Sequence, residues 1–377
     1  MKEIYLDNAA TTKVSEEAAE AALKMMTEFY GNPSSTHTKG RQANAVLKSA
    51  REEIAKALGC AADELFFTSC GSESDNWAIL SGAESMKRKG RHVITSAAEH
   101  DAVRRSFDEL ERLGYEVTRL SPDESGAIPV SAVENALRED TILVSLMMVN
   151  NETGAVTDIG EIAKAMKRAK SQALLHTDAV QGFMKVLFRA KTLGADLISI
   201  SGHKIHAPKG VGALYIRRGL KLRPYIMGGA QESGYRAGTE AMPQITAFAA
   251  AAGAAFFAQS DNIAALDALR RYAIHSIDER LPDAVFIGGG APHILSVSLP
   301  GYRSEVLMNF LENKGIYVSR SSACKKGGRS HVLEAMGLPP RVIDGAIRIS
   351  FSRYNTHADV DALVKALCEA HQSLHHI

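Results

Sequence analysis

The chain has 377 residues, with 44 Lys+Arg against 43 Asp+Glu and a formal charge of +1. At 45% hydrophobic and 23% charged residues it has an ordinary globular composition and room for two domains, which excludes a mainly disordered chain. The even balance, with no basic block, argues against a nucleic-acid binder, whose affinity rests on clustered Lys and Arg. Four cysteines (Cys60, Cys70, Cys324, Cys368) without a C-x-x-C pair form neither a disulfide scaffold nor a structural zinc site, and no metal site is expected. Met1-Lys2-Glu3-Ile4-Tyr5 leads into structured sequence with no signal-peptide pattern. The most apolar run, residues 245–258, is shorter than the ~20 residues of a membrane span. A soluble, cytoplasmic protein with no membrane partner is expected.

Helix and strand periods alternate along the chain. The first clear helix begins near Thr38, where Ala43, Val46, Leu47, Ala50, Ile54, Ala57 and Leu58 recur mostly at three- and four-residue steps before the stop at Gly59. A strand at 65–68 precedes a helix starting near Ser72. Strand 92–95, helix 102–113, strand 115–120, a short helix 131–137 and a buried strand 141–149 follow. Helix 159–169 and strands 173–177, 196–200 and 213–216 complete the run. This alternation predicts an α/β fold with a mostly parallel sheet covered by helices on both faces. After Gly228-Gly229 the texture changes. Helices 239–257 and 263–280 lead into short strands (294–299, 316–319, 346–350) and helices (305–313, 359–373). They read as a smaller α+β domain beginning near residue 261.

Four stretches carry residues suited to chemistry. Lys204, in Ser201-Gly202-His203-Lys204, follows an apolar strand, where α/β sheets bind ligands. A lone loop lysine is more often solvated, but this one can form a Schiff base with a carbonyl cofactor. Asp178, in His176-Thr177-Asp178-Ala179-Val180-Gln181, follows a second strand. It is either a helix N-cap or an acid that keeps a pyridinium nitrogen protonated. Taken together, one acid and one lysine just past two strand ends suit pyridoxal phosphate. Gly71 and Ser72, in Thr68-Ser69-Cys70-Gly71-Ser72, open a helix whose N–H groups suit a phosphate, although taken alone a plain capped turn explains them better. Cys324 lies in the Gly-containing basic stretch Ser321-Ser322-Ala323-Cys324-Lys325-Lys326-Gly327-Gly328-Arg329, where neighbouring cations favour a thiolate.

Glu99-His100 and Asn150-Asn151-Glu152 also end strands, and His100 can stack on a flat ring or move a proton. Arg353 suits a substrate carboxylate. No dinucleotide, P-loop or nucleophile-elbow motif is present.

In this order, these residues resemble the cysteine desulfurases of the NifS/IscS type, within the class V aminotransferase-like, fold-type I pyridoxal-phosphate enzymes. The motifs run from Tyr5-Leu6-Asp7-Asn8-Ala9-Ala10-Thr11-Thr12 and Gly31-Asn32-Pro33-Ser34-Ser35-Thr36-His37 through Glu99-His100, His176-Thr177-Asp178-Ala179-Val180-Gln181 and Ser201-Gly202-His203-Lys204. They end with Arg236-Ala237-Gly238-Thr239-Glu240, Ser322-Ala323-Cys324 and Ile347-Arg348-Ile349-Ser350. The resemblance implies a large α/β domain over 14–260 with a mostly parallel sheet, and a smaller α+β domain of 1–13 and 261–377 carrying Cys324. It implies Lys204 as the Schiff-base lysine and Cα-proton acceptor, and Asp178 as the pyridinium partner. Gln181 would bond the ring hydroxyl, and His100 would stack on the ring and shuttle a proton. Gly71, Ser72, Ser201 and His203 would hold the phosphate, and Thr239 would reach the site of the neighbouring subunit of a homodimer. Asn151 and Arg353 would grip the substrate carboxylate, and Cys324 would take sulfur as a persulfide.

The expected activity is conversion of L-cysteine to L-alanine. The persulfide sulfur would pass to an acceptor protein for iron–sulfur cluster assembly or another thiolation. A selenocysteine lyase or other class V lyase or transaminase, and a catalytically idle binding partner, are the rival readings. Cys70 stands where such enzymes usually carry Gly or Ala, and Ser321 replaces the usual glycine before Ser-Ala-Cys.

Overall fold

The computed structural model describes residues 3–320 and 328–374, and its strands are numbered here in chain order from β1 (Ile4–Tyr5). Strands covered on both faces should be apolar at nearly every position rather than at alternate ones. The middle of the chain supplies such runs: β2 (Leu65–Thr68), β3 (His92–Ser96), β4 (Glu116–Leu120), β5 (Thr141–Ser145), β6 (Leu174–Asp178), β7 (Leu197–Ser201) and β8 (Gly212–Ile216). All but β4 are buried along their whole length; β4 sits at one end of the order β2-β8-β7-β6-β5-β3-β4 and is partly exposed. The pairs from β4 across to β7 are parallel, while β8 runs against both β7 and β2. The sheet is therefore mostly parallel with one reversed strand. Thr68, Ser201 and Asp178 end their strands at one edge, and Gly212 begins β8 there, because Ser201 and Thr68 both pair with Gly212. Loops leaving that edge build ligand sites in open α/β sheets.

The helix expected from Thr38 is Thr38–Leu58, closed by Gly59 in the left-handed region at φ 78°. The run after Cys70 starts as helix Gly71–Asn76, passes through a π turn at Trp77–Ser81, and ends as Gly82–Met86. The strand expected over 141–149 stops as a regular strand at Ser145. Leu146 and Met148 still donate to β6 carbonyls at 3.2 and 2.9 Å, and then Asn150 Oδ1 accepts the N–H groups of Glu152 and Thr153 at 2.9 and 3.0 Å. That side-chain turn competes with continued pairing. Helix Glu16–Thr27 carries no clear sequence signal, because only Ala18 and Met25 are buried along it. It packs on Met242–Phe257.

The second half forms a four-stranded antiparallel sheet in the order β12-β13-β10-β9, from β9 (Val285–Ile287), β10 (Ile294–Ser298), β12 (Ser319–Arg320) and β13 (Ala346–Ser350), while β11 (Ile316–Tyr317) pairs in parallel with β1. The single strand expected over 316–319 therefore serves two sheets in succession. Helices Met242–Phe257 and Gln259–Arg280 are almost continuous. Met242–Phe257 starts later than the expected residue 239, with Pro243 in its first turn, where a missing N–H is harmless.

Two large hydrophobic clusters result. One gathers one face of the seven-stranded sheet and the helices on it between Ala9 and Ile294, the opposite face packing in smaller clusters; the other joins Ile4 and Leu6 to residues between Leu266 and Ala370. We propose the domain division at 14–260 against 1–13 plus 261–377, which these two cores support.

The segment after β8 is fastened to the sheet edge. The Glu232 carboxylate takes both Arg51 Nη atoms at 2.7 and 2.6 Å and the Phe67 N–H at 2.8 Å, and Arg236 pairs with Glu73 at 2.8 Å. Bidentate, largely buried pairs of this kind hold geometry better than exposed ones.

Candidate active site

A cavity of about 400 Å³ opens at the carboxyl edge of the seven-stranded sheet. The loops after β2, β3, β6 and β7 bring Gly71, Ser72, His100, Gln181, His203 and Lys204 to its wall, with Asp178 and Ser201 from the strand ends, and Asn151 and Arg348 close it from the other side. Asp178 is the last residue of β6 rather than one beyond it, and Lys204 is three residues past β7, in the short turn Gly202–Lys204.

Lys204 Nζ donates to the carbonyls of Ala9 and Ala10, both at 2.7 Å. Burial, then the positive charge of Arg348, brings its pKa down to about 8, although Asp178 and Asp7 pull the other way. A measurable share of the amine is thus unprotonated near neutral pH. Asp178 is 5% exposed, and its Oδ1 accepts the Val180 N–H at 2.8 Å. Burial raises its pKa, while the charges of His100 and Lys204 oppose that rise. Beside it Asp75 is raised further, by burial and then by the charge of Asp178. His176 lies beneath them, with Ser145 Oγ at 2.7 Å from Nδ1 and Ser199 Oγ at 3.0 Å from Nε2. Burial holds the His176 pKa down to about 3, so the imidazole is neutral and its 3.6 Å approach to Asp75 is not an ion pair.

His100 caps helix Asp101–Arg112, with Nδ1 accepting the Ala102 N–H at 3.1 Å; this fixes the ring and assigns the remaining proton to Nε2 when neutral. Gln181 donates to the Ala9 carbonyl at 2.8 Å and faces His293 Nε2 at 3.2 Å. His203 Nδ1 lies 3.2 Å from Thr11 Oγ1, and burial, then Lys204, lowers its pKa to about 4.

Three buried oxygens of the cavity-lining residues, Ser201 Oγ, Asp75 Oδ1 and Glu99 Oε2, have no hydrogen-bond partner among the described residues. Buried polar atoms are rarely left this way, so the cavity is built for a polar occupant. A Cβ at Gly71 would come within 2.6 Å of Val180 Cγ2, so the glycine keeps the helix start close to the loop after β6 and open toward Ser201. Ser201 and the N–H groups at Gly71 and Ser72 suit an anion, Asp178 a ring cation and Lys204 a carbonyl. These residues fit a phosphorylated pyridine aldehyde.

Two expected residues lie elsewhere. Arg353 does not line this cavity: its Nη2 donates to Glu17 Oε1 at 2.8 Å and to Tyr354 OH at 3.0 Å, facing a second, smaller cavity. The assignment of Arg353 to the substrate carboxylate is corrected accordingly, since β13 turns Arg348 inward and Arg353 lies five residues on, beyond the strand. Of the arginines that line the active cavity, Arg104, Arg329 and Arg348, the last is bonded through Nη1 to the Asn151 carbonyl and through Nη2 to Asp7 Oδ1, both at 2.8 Å, with Nε unpartnered among the described residues. Strand alternation could have found it, because a charged residue inside Ile347-Arg348-Ile349 needs a buried purpose. Thr239 is exposed and outside the cavity. Cys324 lies outside the described residues; Arg329 and His331, which follow that stretch, line the cavity.

Sequence reasoning also missed the buried acids. Glu99 accepts from Ser96 Oγ at 2.6 Å and from the Met147 N–H at 3.0 Å, and burial lifts its pKa to about 8. Glu152 is lifted to about 7 by burial, against a hydrogen bond from Ser330. Glu99 gives a measurable sign. With a folded pKa of about 8 against 4.5 unfolded, the folded state holds the extra proton, so stability is fully present below pH 4.5 and declines as pH rises toward 8. Glu99→Gln keeps the acceptor for Ser96 and Met147 but cannot ionise. Urea unfolding from pH 5 to 8 should show the variant gaining on the wild type at each step; parallel curves would show that Glu99 is ionised in the fold.

The chain belongs to the aminotransferase class-V family, which it matches over residues 4–363. Among curated proteins it is 42% identical over 374 residues to the cysteine desulfurase of Trichormus azollae, covering 98% of this chain and 93% of that protein. It is 41% identical over 378 residues to the cysteine desulfurase IscS of Methanosarcina thermophila, covering 99% and 93%. Among solved structures, a NifS-like protein superposes with a TM-score of 0.93 at 38% identity, covering 99% of this chain and all of the other. SspA in complex with cysteine superposes with a TM-score of 0.80 at 31% identity, over 94% of this chain.

Proposed function

We propose that this chain is a cysteine desulfurase that uses pyridoxal 5'-phosphate to convert L-cysteine to L-alanine and retains the sulfur as a persulfide on Cys324. The observation that carries the reading is one cavity holding a buried amine with a lowered pKa, Lys204, opposite a buried acid, Asp178. Family membership and full-length relatives named cysteine desulfurase support it. Bound pyridoxal phosphate supplies an aldehyde for an amine and an electron-withdrawing ring.

The protein's own residues do the rest. Asp178 ionises when a ring cation sits beside it and keeps that cation protonated. Gly71, Ser72, Ser201 and His203 would hold the phosphate through N–H and hydroxyl donors, and Gln181 and His100 would contact the ring. Arg348, with its free Nε, and Asn151 orient the substrate carboxylate. Lys204, once free, takes the Cα proton as an amine poised near neutral pH. His100, with a proton available at Nε2, exchanges one with the substrate thiol. The Cys324 thiolate then attacks the substrate sulfur; the carbon–sulfur bond breaks and its electron pair stays with the product.

Exposed Tyr225, Ile226 and Met227, on the same segment as exposed Thr239, support a homodimer in which Thr239 serves the neighbouring subunit's phosphate. No helix among the described residues is long and apolar enough to cross a membrane. We place the enzyme in the cytoplasm, handing sulfur to an acceptor protein for iron–sulfur cluster assembly or another thiolation. The test is mass spectrometry of the loaded enzyme after L-cysteine. One added sulfur on the Cys324 peptide, with one alanine formed per sulfur, is expected; alanine without that added sulfur would overturn the role of Cys324, and no alanine would overturn the activity.

A further inference from the structure

Where the two hydrophobic cores meet there is a second cavity of about 30 Å³, walled by Lys185 and His206 from the large-sheet side and by Arg353 and Leu266 from the other. Lys185 is 7% exposed, and its ammonium has no hydrogen-bond partner among the described residues. A buried cation without a partner is costly, so it either loses its proton or acquires a counter-charge. Burial, then the Arg353 charge, brings the Lys185 pKa down only to about 8, so the group stays mostly protonated at pH 7.

The neighbours do not neutralise it. Arg353 is itself a cation, and the Glu17 carboxylate that faces it at 2.8 Å is engaged by that guanidinium and 43% exposed. His206 is held neutral, its pKa brought down to about 4 by burial and then Lys185, and its Nδ1 lies 2.9 Å from the Lys13 carbonyl. The Tyr354 ring stands edge-on to that imidazole. Two cations and one shared, exposed carboxylate leave the pocket positive. The positions beside the lysine and the histidine are also unusual: Met184 and His206 adopt φ of 61° and 72°, which non-glycine residues rarely do.

The geometry points to a binding site for a small monovalent anion, of the halide class, held between Lys185 and Arg353 across the seam of the two cores. The volume decides the class. The enclosed part of the cavity has room for a water-sized or slightly larger species, so a small ion fits it best. A water molecule could accept a hydrogen bond from Lys185 but would leave the charge uncompensated. The anion would link an element of the large-sheet core to the turn after β13, well apart from the wall built by Lys204 and Asp178.

The test compares sodium bromide with sodium gluconate at constant ionic strength, using the holoenzyme. Wild-type Tm should climb with bromide by about 1–2 °C per tenfold above half-saturation. Lys185→Met, apolar and of similar length, should show no bromide dependence and should match or exceed the wild type in gluconate. Crystals grown in bromide should carry an anomalous peak within contact of Lys185 Nζ. Equal wild-type curves in the two salts, an unchanged bromide response in Lys185→Met, or ordinary water at that position would overturn the site. If the variant does not fold, the crystallographic peak decides alone.

Discussion

Lys204→Ala will lose alanine formation from cysteine by about 10⁴-fold or more, because the variant lacks both the imine-forming amine and the general base. Among the described residues the cavity offers no substitute. The other amine with a pKa near 8, Lys185, lines a different cavity, and the histidines nearest Lys204 are fixed by their own contacts. The fold should survive the change. Lys204 is a buried cation whose pKa is lowered from 10.5 to about 8, so its charge opposes folding, and alanine removes that penalty while leaving two carbonyls without a donor. The linkage has a definite sign. Between pH 8 and 10.5 the unfolded wild type binds more protons than the folded one, so the wild type gains stability as pH rises through that window and Lys204→Ala does not. Alanine assays together with urea unfolding at pH 8 and pH 10 check both halves. Retained turnover would reassign the amine, and parallel stability curves would show that Lys204 is not desolvated.

The second large effect separates two arginines five residues apart. Arg348→Ala should lower kcat/KM for cysteine by about 10²- to 10³-fold, mostly through KM, as expected when a buried charged contact to a carboxylate is lost. It should also leave Asp7 and the Asn151 carbonyl without their donor. Arg348→Lys should recover only part of the loss, since an ammonium cannot reproduce the planar fork that reaches Asn151, Asp7 and a substrate together. Arg353→Ala should change kcat/KM by no more than a few fold, because its pairing with Glu17 is partly exposed and outside the active cavity. Steady-state kinetics of the three variants decide the matter, and the reverse ranking would restore Arg353 to the substrate.

The sequence made the sheet legible because strands buried on both faces leave unbroken apolar runs, as in Leu174-Leu175 and Leu197-Ile198. It did not reveal the reversed β8, since an isolated apolar run carries no direction, nor helix Glu16–Thr27, whose stripe is too narrow. In the site, Lys204 and Asp178 stand out in the sequence by their places near strand ends, whereas a role for Ser201 comes only from the family resemblance. Arg348 does not stand out in the sequence, because Arg353 is equally available in one dimension and only the β13 pairing decides which side chain turns inward. The raised acids Asp75 and Glu99 were hidden for a related reason. Their character comes from burial against residues distant in the chain, which no local pattern records.

The residues before the first long helix have a consequence of their own. β1 pairs with β11, Asn8 and Ala9 are bonded to Ser350, and the carbonyls of Ala9 and Ala10 hold the reactive amine of Lys204. Residues 4–10 therefore tie one hydrophobic core to the other. A shift of one core against the other would pull on the carbonyls that hold that amine, so a stretch that could be mistaken for a dispensable tail bears on its basicity.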